Sequence, residues 1–174
     1  MVSPIPRRDD RGMNSPDPTN GPLLICYDGS EDAKHAIGRA GGLLAARPAL
    51  VITVWQPTAV LGSFAWGGET ASMVDFVELD RAGAEDAGRV ADEGVSLAVE
   101  AGLEANAVAI KATGPVWRTI IDIADAHDAA AIVMGSRGLT GMRSMLLGSV
   151  SSAVVHHADR PTLVVHRPHD VDTD

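Results

Sequence analysis

The sequence predicts an α/β fold, one parallel sheet of five strands with helices between them. Two observations predict it. Five short apolar runs alternate with four segments whose apolar residues recur at helical spacing. Near the end of the chain, Ala129 to Ala158 reads as buried strand, glycine loop and helix N-terminus in that order, the arrangement of open α/β sheets. At 174 residues the chain fits one domain, and it contains no internal repeat.

The elements follow in order. Met1 to Gly21 holds Pro4, Pro6, Pro16 and Pro18, with Arg7, Arg8 and Arg11 beside Asp9 and Asp10. It has no periodicity, so residues 1–21 are expected to form a disordered extension. Leu23 to Tyr27 is a short apolar run, expected as a central strand. It ends at Asp28-Gly29-Ser30, where Ser30 suits the N-cap of a helix striped by Ala33, Ile37, Ala40 and Leu44. Asp28 stands at the carboxyl end of that strand, where such sheets place ligands, and it equally suits a capping turn. Ala49 to Trp55 is the second strand. It ends at Gln56-Pro57 with no acid, and no G-x-G-x-x-G follows strand one, which disfavours a dinucleotide-binding unit.

Thr58 to Thr70 reads as a loop at the ligand end. Its Phe64 and Trp66 suit either cover for a base or partner, or local packing. Ala71 to Ala101 reads as one long Ala-rich helix with Val90, Leu97, Ala98 and Ala101 on its apolar face. Asp75, Glu78, Asp80, Glu85, Asp86, Asp92 and Glu93 form its solvated face. Gly83, Gly88 and Gly94 weaken it and predict a bend or break, and Gly102 suits its C-cap. Ala105 to Ala112 is the third strand. Thr113-Gly114-Pro115 leads into a helix striped by Val116, Ile120, Ile123, Ala124 and His127, with Pro115 in the first turn and His127 at the C-terminal end. Ala130 to Met134 is strand four, Leu163 to His166 is strand five, and Pro168 to Asp174 is a flexible tail.

Composition narrows the function. The net charge of −9 disfavours nucleic acid or an anionic membrane as main partner, since both are polyanions. Aromatics make up only 3% of the chain, so the core is aliphatic. The single cysteine, Cys26, lies in an apolar run and reads as a core residue, which fits a reducing cytoplasm. No apolar run is long enough for a membrane helix, and the first 20 residues lack the apolar core of a secretory signal. No metal cluster is evident: His156 and His157 are adjacent, and no H-E-x-x-H or cysteine set exists.

The chemistry concentrates in the glycine loop. A helix N-terminus offers unpaired N–H groups and partial positive charge, which suits phosphate. Gly135, Gly138 and Gly141 let backbone approach a ligand, Gly148-Ser149 opens a helix with Val150, Ala153, Val154 and His157 on its stripe, and Ser149, Ser151 and Ser152 add hydroxyls. The spacing Gly135-x2-Gly138-x9-Gly148-Ser149 resembles the nucleotide-loop signature of the universal stress protein family, G-x2-G-x9-G-[ST]. The resemblance runs from about Pro22 to His166 and includes the last-strand run Pro161 to His166, PTLVVH.

That resemblance implies a single-domain member spanning residues 22–167, with strand order 3-2-1-4-5, helices on both faces and an adenine nucleotide alpha-hydrolase-like fold. It implies ATP as ligand, with Mg²⁺ as an option beside Asp28. The implied contacts are Asp28, Gly29, the backbone near Val54, Met134, Gly135, Arg137, Gly138, Gly148, Ser149 and Val150, with Gly148, Ser149 and Val150 presenting N–H groups. Arg137 and Arg143 are candidate phosphate charges, Arg143 more simply a surface arginine. A homodimer through the strand-five edge and a stress-related role are also implied. The runner-up is a slow ATPase or a phosphoryl- or adenylyl-transfer enzyme. Against it, G-x-x-x-x-G-K-[ST] is absent and neither lysine, Lys34 or Lys111, lies in the loop. A pure interaction module with a structural loop is the third reading. No catalytic residue is expected.

Overall fold

A computed structural model describes residues 21–44, 47–57, 76–139 and 147–167. It holds β1 (Leu23–Cys26), α1 (Glu31–Leu44), β2 (Pro48–Trp55), α2 (Phe76–Glu100), β3 (Glu104–Lys111), α3 (Val116–Ala126), β4 (Ala131–Gly135), α4 (Ser149–His157) and β5 (Thr162–Val165). The five strands form one parallel sheet in the order β3-β2-β1-β4-β5, as expected. The expectations placed on residues 1–20, on the loop with Phe64 and Trp66, on Gly141 and Arg143, and on residues 168–174 lie outside the described residues.

The two faces of the sheet sort by strand parity, because successive side chains alternate sides. Leu23, Ile25, Val51 and Val133 pack on Ala33, Ala36, Ile37 and Ala40 of α1 and on Ala98 of α2. On the other face Leu24, Ile52, Ile132 and Met134 meet Ile120 and Ala124 of α3 and Val154 of α4. β1 is central, with both faces covered, so Leu23, Leu24 and Ile25 are all buried. The register sets Leu24 between Leu50 and Ile132.

Small residues let the helices approach closely. A Cβ on Gly41 of α1 would lie 2.2 Å from the Ala101 carbonyl oxygen. A Cβ on Gly94 would lie 2.7 Å from the Tyr27 ring and 2.8 Å from Val51 Cγ1. No break occurs at these glycines: α2 is one continuous helix of 25 residues. Gly94 packs against β1 and β2, and Gly83 lies against the Trp55 ring, so both serve helix-on-sheet contact.

Two helices end in the same way. Past α2, Gly102 adopts φ +87°, its N–H donates to the Val99 carbonyl, and Leu103 N–H donates to the Ala98 carbonyl. This pair of bonds satisfies carbonyls that a helix end leaves orphaned. Past α3, Asp128 takes the left-handed position at φ 47°, and Asp128 and Ala129 N–H groups donate to the Asp125 and Ala124 carbonyls. His127 is the C-cap, exposed at the helix end as the sequence predicts. Strand order reverses between β1 and β4, and the loops after these two strands therefore flank the crevice where open α/β sheets bind ligands.

Candidate functional site

The turn after β1 is built by three residues. Asp28 Oδ1 accepts the Ser30 N–H at 3.0 Å, the two-residue Asx pattern. Gly29 sits at φ +82°, a region that costs little only without a Cβ. Ser30 Oγ accepts the Ala33 N–H at 3.2 Å and caps α1. Both roles weighed for Asp28 are compatible here: one oxygen organises the turn, and the residue stays exposed at the ligand end.

The segment after β4 fits against that turn. A Cβ on Gly135 would lie 2.7 Å from the Asp32 carbonyl carbon, so strand and helix touch only because Gly135 has none. A Cβ on Gly138 would lie 2.6 Å from Asp28 Oδ2. Gly138 itself has no positive φ. Its close neighbour is the Asp28 carboxylate alone, so a side chain here would displace that carboxylate.

Ser136 is fully buried and joins three elements. Its N–H donates to the Val165 carbonyl of β5 at 2.9 Å. Its Oγ donates to Asp32 Oδ2 at 2.8 Å. Its carbonyl accepts the Gly148 N–H at 2.7 Å and the Ser151 hydroxyl at 2.7 Å. Two expectations change accordingly. The Gly148 N–H and the Ser151 hydroxyl are committed to Ser136 and do not face a ligand. The first bond of α4 runs from Ser152 N–H to the Gly148 carbonyl. Ser149, Val150 and Ser151 precede it, and their N–H groups have no backbone partner among the described residues.

These parts enclose a cavity of about 790 Å³. Every residue expected to contact a ligand lines it except Gly29, which shapes the turn beside it. Its apolar lining was not anticipated: Cys26, Ile52, Val116 and Ile120 line it with Val54 and Met134, and His156 and His157 line it farther along α4. His157 also stacks on Trp117 of α3, with centroids 4.6 Å apart and planes at 21°. Burial, with Asp28 nearby as a second cause, pushes the Cys26 thiol up to about 12. Burial likewise raises the Tyr27 hydroxyl, helped by its hydrogen bond to Glu93.

Asp32, in the first turn of α1, was also missed. Its Oδ2 accepts from Ser136 Oγ and from Arg137 Nε, the latter at 3.2 Å. Burial alone would raise its carboxyl; the hydrogen bonds from Ser136 and Arg137 and the charges of Arg137 and Arg167 hold it below its ordinary value. Among the described residues no cluster of three His, Cys, Asp or Glu side chains is placed to hold a metal, and no lysine lines the cavity. Lys34 pairs with Glu31 and Glu93, and Lys111 with Asp80. Among the described residues the site therefore offers an apolar slot, a row of N–H groups without a backbone partner, one arginine and one carboxylate.

The model of the universal stress protein family matches residues 19–166. The chain belongs to that family. A relative from Bacillus subtilis, universal stress protein YxiE, is 29% identical over 145 residues, covering 82% of this chain and 97% of its own. Universal stress protein Sll1388 of Synechocystis is 46% identical over 52 residues, but the match spans only 30% of this chain and 34% of that protein. Among solved structures, the hypothetical protein MJ0577 superposes with a TM-score of 0.69 at 23% identity, over 87% of this chain and 99% of that one. The Archaeoglobus fulgidus universal stress protein in complex with dAMP superposes with a TM-score of 0.55 at 23% identity, covering 84% of this chain and 98% of that one. A universal stress protein in complex with cAMP gives 0.57 at 21%, covering 85% and 98%. At these identities the superpositions establish the shared fold. Among the described residues no helix is long and apolar enough to cross a membrane.

Proposed function

We propose that this chain binds ATP and acts as a nucleotide-responsive regulatory protein. The observation that carries the proposal is the composition of the cavity between the loops after β1 and β4. An apolar slot of Ile52, Val54, Val116, Ile120 and Met134 suits a flat base. The N–H groups of Ser149, Val150 and Ser151 at the start of α4 suit a phosphate. Adenine-nucleotide complexes of relatives with the same fold, one with dAMP and one with cAMP, support the ligand class. ATP in particular rests on the glycine spacing and on Arg137 beside the loop.

Asp28 is the carboxylate available to a Mg²⁺ carried in on the phosphates, since Mg²⁺ is usually held by one or two carboxylates plus phosphate oxygens. The bound ion would supply charge neutralisation for the phosphate chain. The hydrolytic alternative has less support: the lining of the cavity offers Asp28 as its only carboxylate and no lysine among the described residues.

The test is direct. Protein purified without added nucleotide is denatured, and the released small molecules are identified by mass spectrometry. Stripped protein is then titrated calorimetrically with ATP, AMP and cAMP. An adenine nucleotide in the released fraction, or saturable binding in the titration, is the expected result. An empty release with flat titrations for all three overturns the proposal, and sustained formation of ADP or AMP from ATP shifts the reading to an enzyme.

A further inference from the structure

We propose that Asp32 is a positioning residue that holds the Arg137 guanidinium at the cavity, and that through this pair the site distinguishes nucleotides by the number of their phosphates. The inference rests on the adenine-nucleotide reading and deepens it.

Arg137 lines the cavity, yet its side chain is only 13% exposed. Its Nε donates to Asp32 Oδ2 at 3.2 Å, and neither terminal nitrogen has a partner among the described residues. Arginine carries its donors in a rigid planar fork, so a bond at Nε fixes the plane in which the remaining N–H groups point. A solvated arginine would lose rotamer freedom on meeting a phosphate; one already held loses less.

Asp32 is itself held. Its side chain is 8% exposed, and the same Oδ2 takes the hydroxyl of the fully buried Ser136 at 2.8 Å. The carboxylate is thus fixed by α1 on one side and by the segment after β4 on the other. Ser136 also ties this segment to α4 through the Gly148 N–H at 2.7 Å. A Cβ on Gly148 would come 3.6 Å from Arg137 Cα, so the arginine backbone adjoins the start of α4. A single phosphate can be met by the N–H groups of Ser149, Val150 and Ser151. Because the Arg137 backbone adjoins the start of α4 and Arg137 lines the same cavity, a longer phosphate chain would come within reach of the arginine. Because Asp32 balances the charge of Arg137, the pair contributes direction more than general attraction, which favours discrimination over indiscriminate anion binding.

The experiment compares wild type, Asp32→Ala, Asp32→Asn and Arg137→Met, each titrated with AMP, ADP and ATP, with thermal melting as the fold control. Wild type is expected to bind ATP more tightly than AMP. Asp32→Ala should weaken ATP about tenfold, the loss of one hydrogen bond to a charged group, and AMP by less than about threefold. Combining Asp32→Ala with Arg137→Met should add little to Arg137→Met alone, since the two act as one unit. Asp32→Asn keeps an oxygen for Nε without the charge. If Asp32→Ala does not fold, Asp32→Asn decides: a fall of about threefold in the ATP-to-AMP preference supports the inference, and an unchanged preference overturns it. Equal losses for AMP and ATP in Asp32→Ala, or additive losses in the double variant, mark a purely structural strut and overturn it too. Wild type that binds all three nucleotides equally overturns this inference and leaves the nucleotide reading intact; wild type that binds none overturns both.

Discussion

Gly138 is the residue where a missing Cβ leaves room for the carboxylate at the site. Any side chain there would run into Asp28 Oδ2 at 2.6 Å and push the carboxylate from its place in the turn after β1. Gly138→Val should therefore weaken ATP binding more than Ser149→Ala, which removes one hydroxyl and leaves the α4 N–H groups in place. The Ser149→Ala loss should be roughly tenfold to a hundredfold if its hydroxyl meets phosphate, the worth of a hydrogen bond to a charged group. Calorimetric titration beside circular dichroism measures both, and wild-type affinity in folded Gly138→Val protein would mean the loop is only structural. Asp32 makes a second prediction, on stability. Its folded pKa lies below the ordinary 3.8, so its contribution is fully present above that value and is lost as pH falls through the lowered one. Melting temperatures of wild type should drop more steeply below about pH 4 than those of Asp32→Asn; parallel curves would show that Asp32 is not the linked group. Cys26 gives a third. A thiol raised to about 12 carries almost no thiolate at neutral pH, so it should resist iodoacetamide in the folded protein and react fast once unfolded. Rapid folded-state alkylation would contradict the raised thiol.

At the scale of elements, adjacent glycines of α1 separate packing from propensity. A Cβ on Gly41 would lie 2.2 Å from the Ala101 carbonyl oxygen, whereas one on Gly42 meets nothing within 4 Å. Gly41→Ala has to force α1 away from backbone at the end of α2 and should cost about 3 kcal/mol, the upper part of the usual overpacking range. Gly42→Ala should gain roughly 0.5–1 kcal/mol by restricting the unfolded chain and favouring helix. Urea unfolding of the two variants measures the difference, and equal stabilities would refute the close contact. The same pair shows what was legible beforehand. Strands were readable as short continuous apolar runs and helices because apolar residues repeat at 3.6, and the Ser30 cap and Gly102 terminus because their chemistry is local. The break expected at the glycines of α2 is absent for a physical reason: sequence shows their low helix propensity, but not that Gly94 lies directly against Tyr27 and Val51 on the sheet. The site divides likewise. Gly135, Gly138 and Gly148 were visible as spacing along the chain. Asp32 was not, because its partners Ser136 and Arg137 lie more than a hundred residues away and only the β1–β4 pairing brings them together. Cys26, Ile52, Val116 and Ile120 read as plain core residues, and their place on a cavity depends on how α3 sits against the sheet.

At the scale of the whole molecule, the sheet of the described residues has two edge strands, β3 and β5. They are not alike. β3 pairs with β2 along eight residue pairs from Glu104 to Lys111, and both of its ends are charged. β5 has four residues, Thr162 to Val165, three of them apolar and all half-buried. Its hydrogen bonding can be sorted from its neighbours. Ile132 N–H donates to the Pro161 carbonyl and Ser136 N–H to the Val165 carbonyl. In a parallel ladder the residues turned toward one neighbour alternate, so Pro161, Leu163 and Val165 face β4, while Thr162 and Val164 point their N–H and C=O groups to the open edge. An apolar edge whose outward donors and acceptors have no partner strand among the described residues is a template for another strand, and a two-fold pairing of β5 with its own copy would satisfy both chains. The chain is expected to form a homodimer on this edge. Val164→Pro tests it selectively, because it removes a donor that points outward and leaves the β4 ladder in place. Sedimentation at micromolar concentration should show a dimer for wild type. Val164→Pro should shift the dissociation constant upward by at least about tenfold, with the melting temperature measured at the same concentration to separate loss of association from loss of fold. Monomeric wild type at that concentration would remove the proposal, and a Val164→Pro protein that dimerises as tightly as wild type would move the interface away from β5.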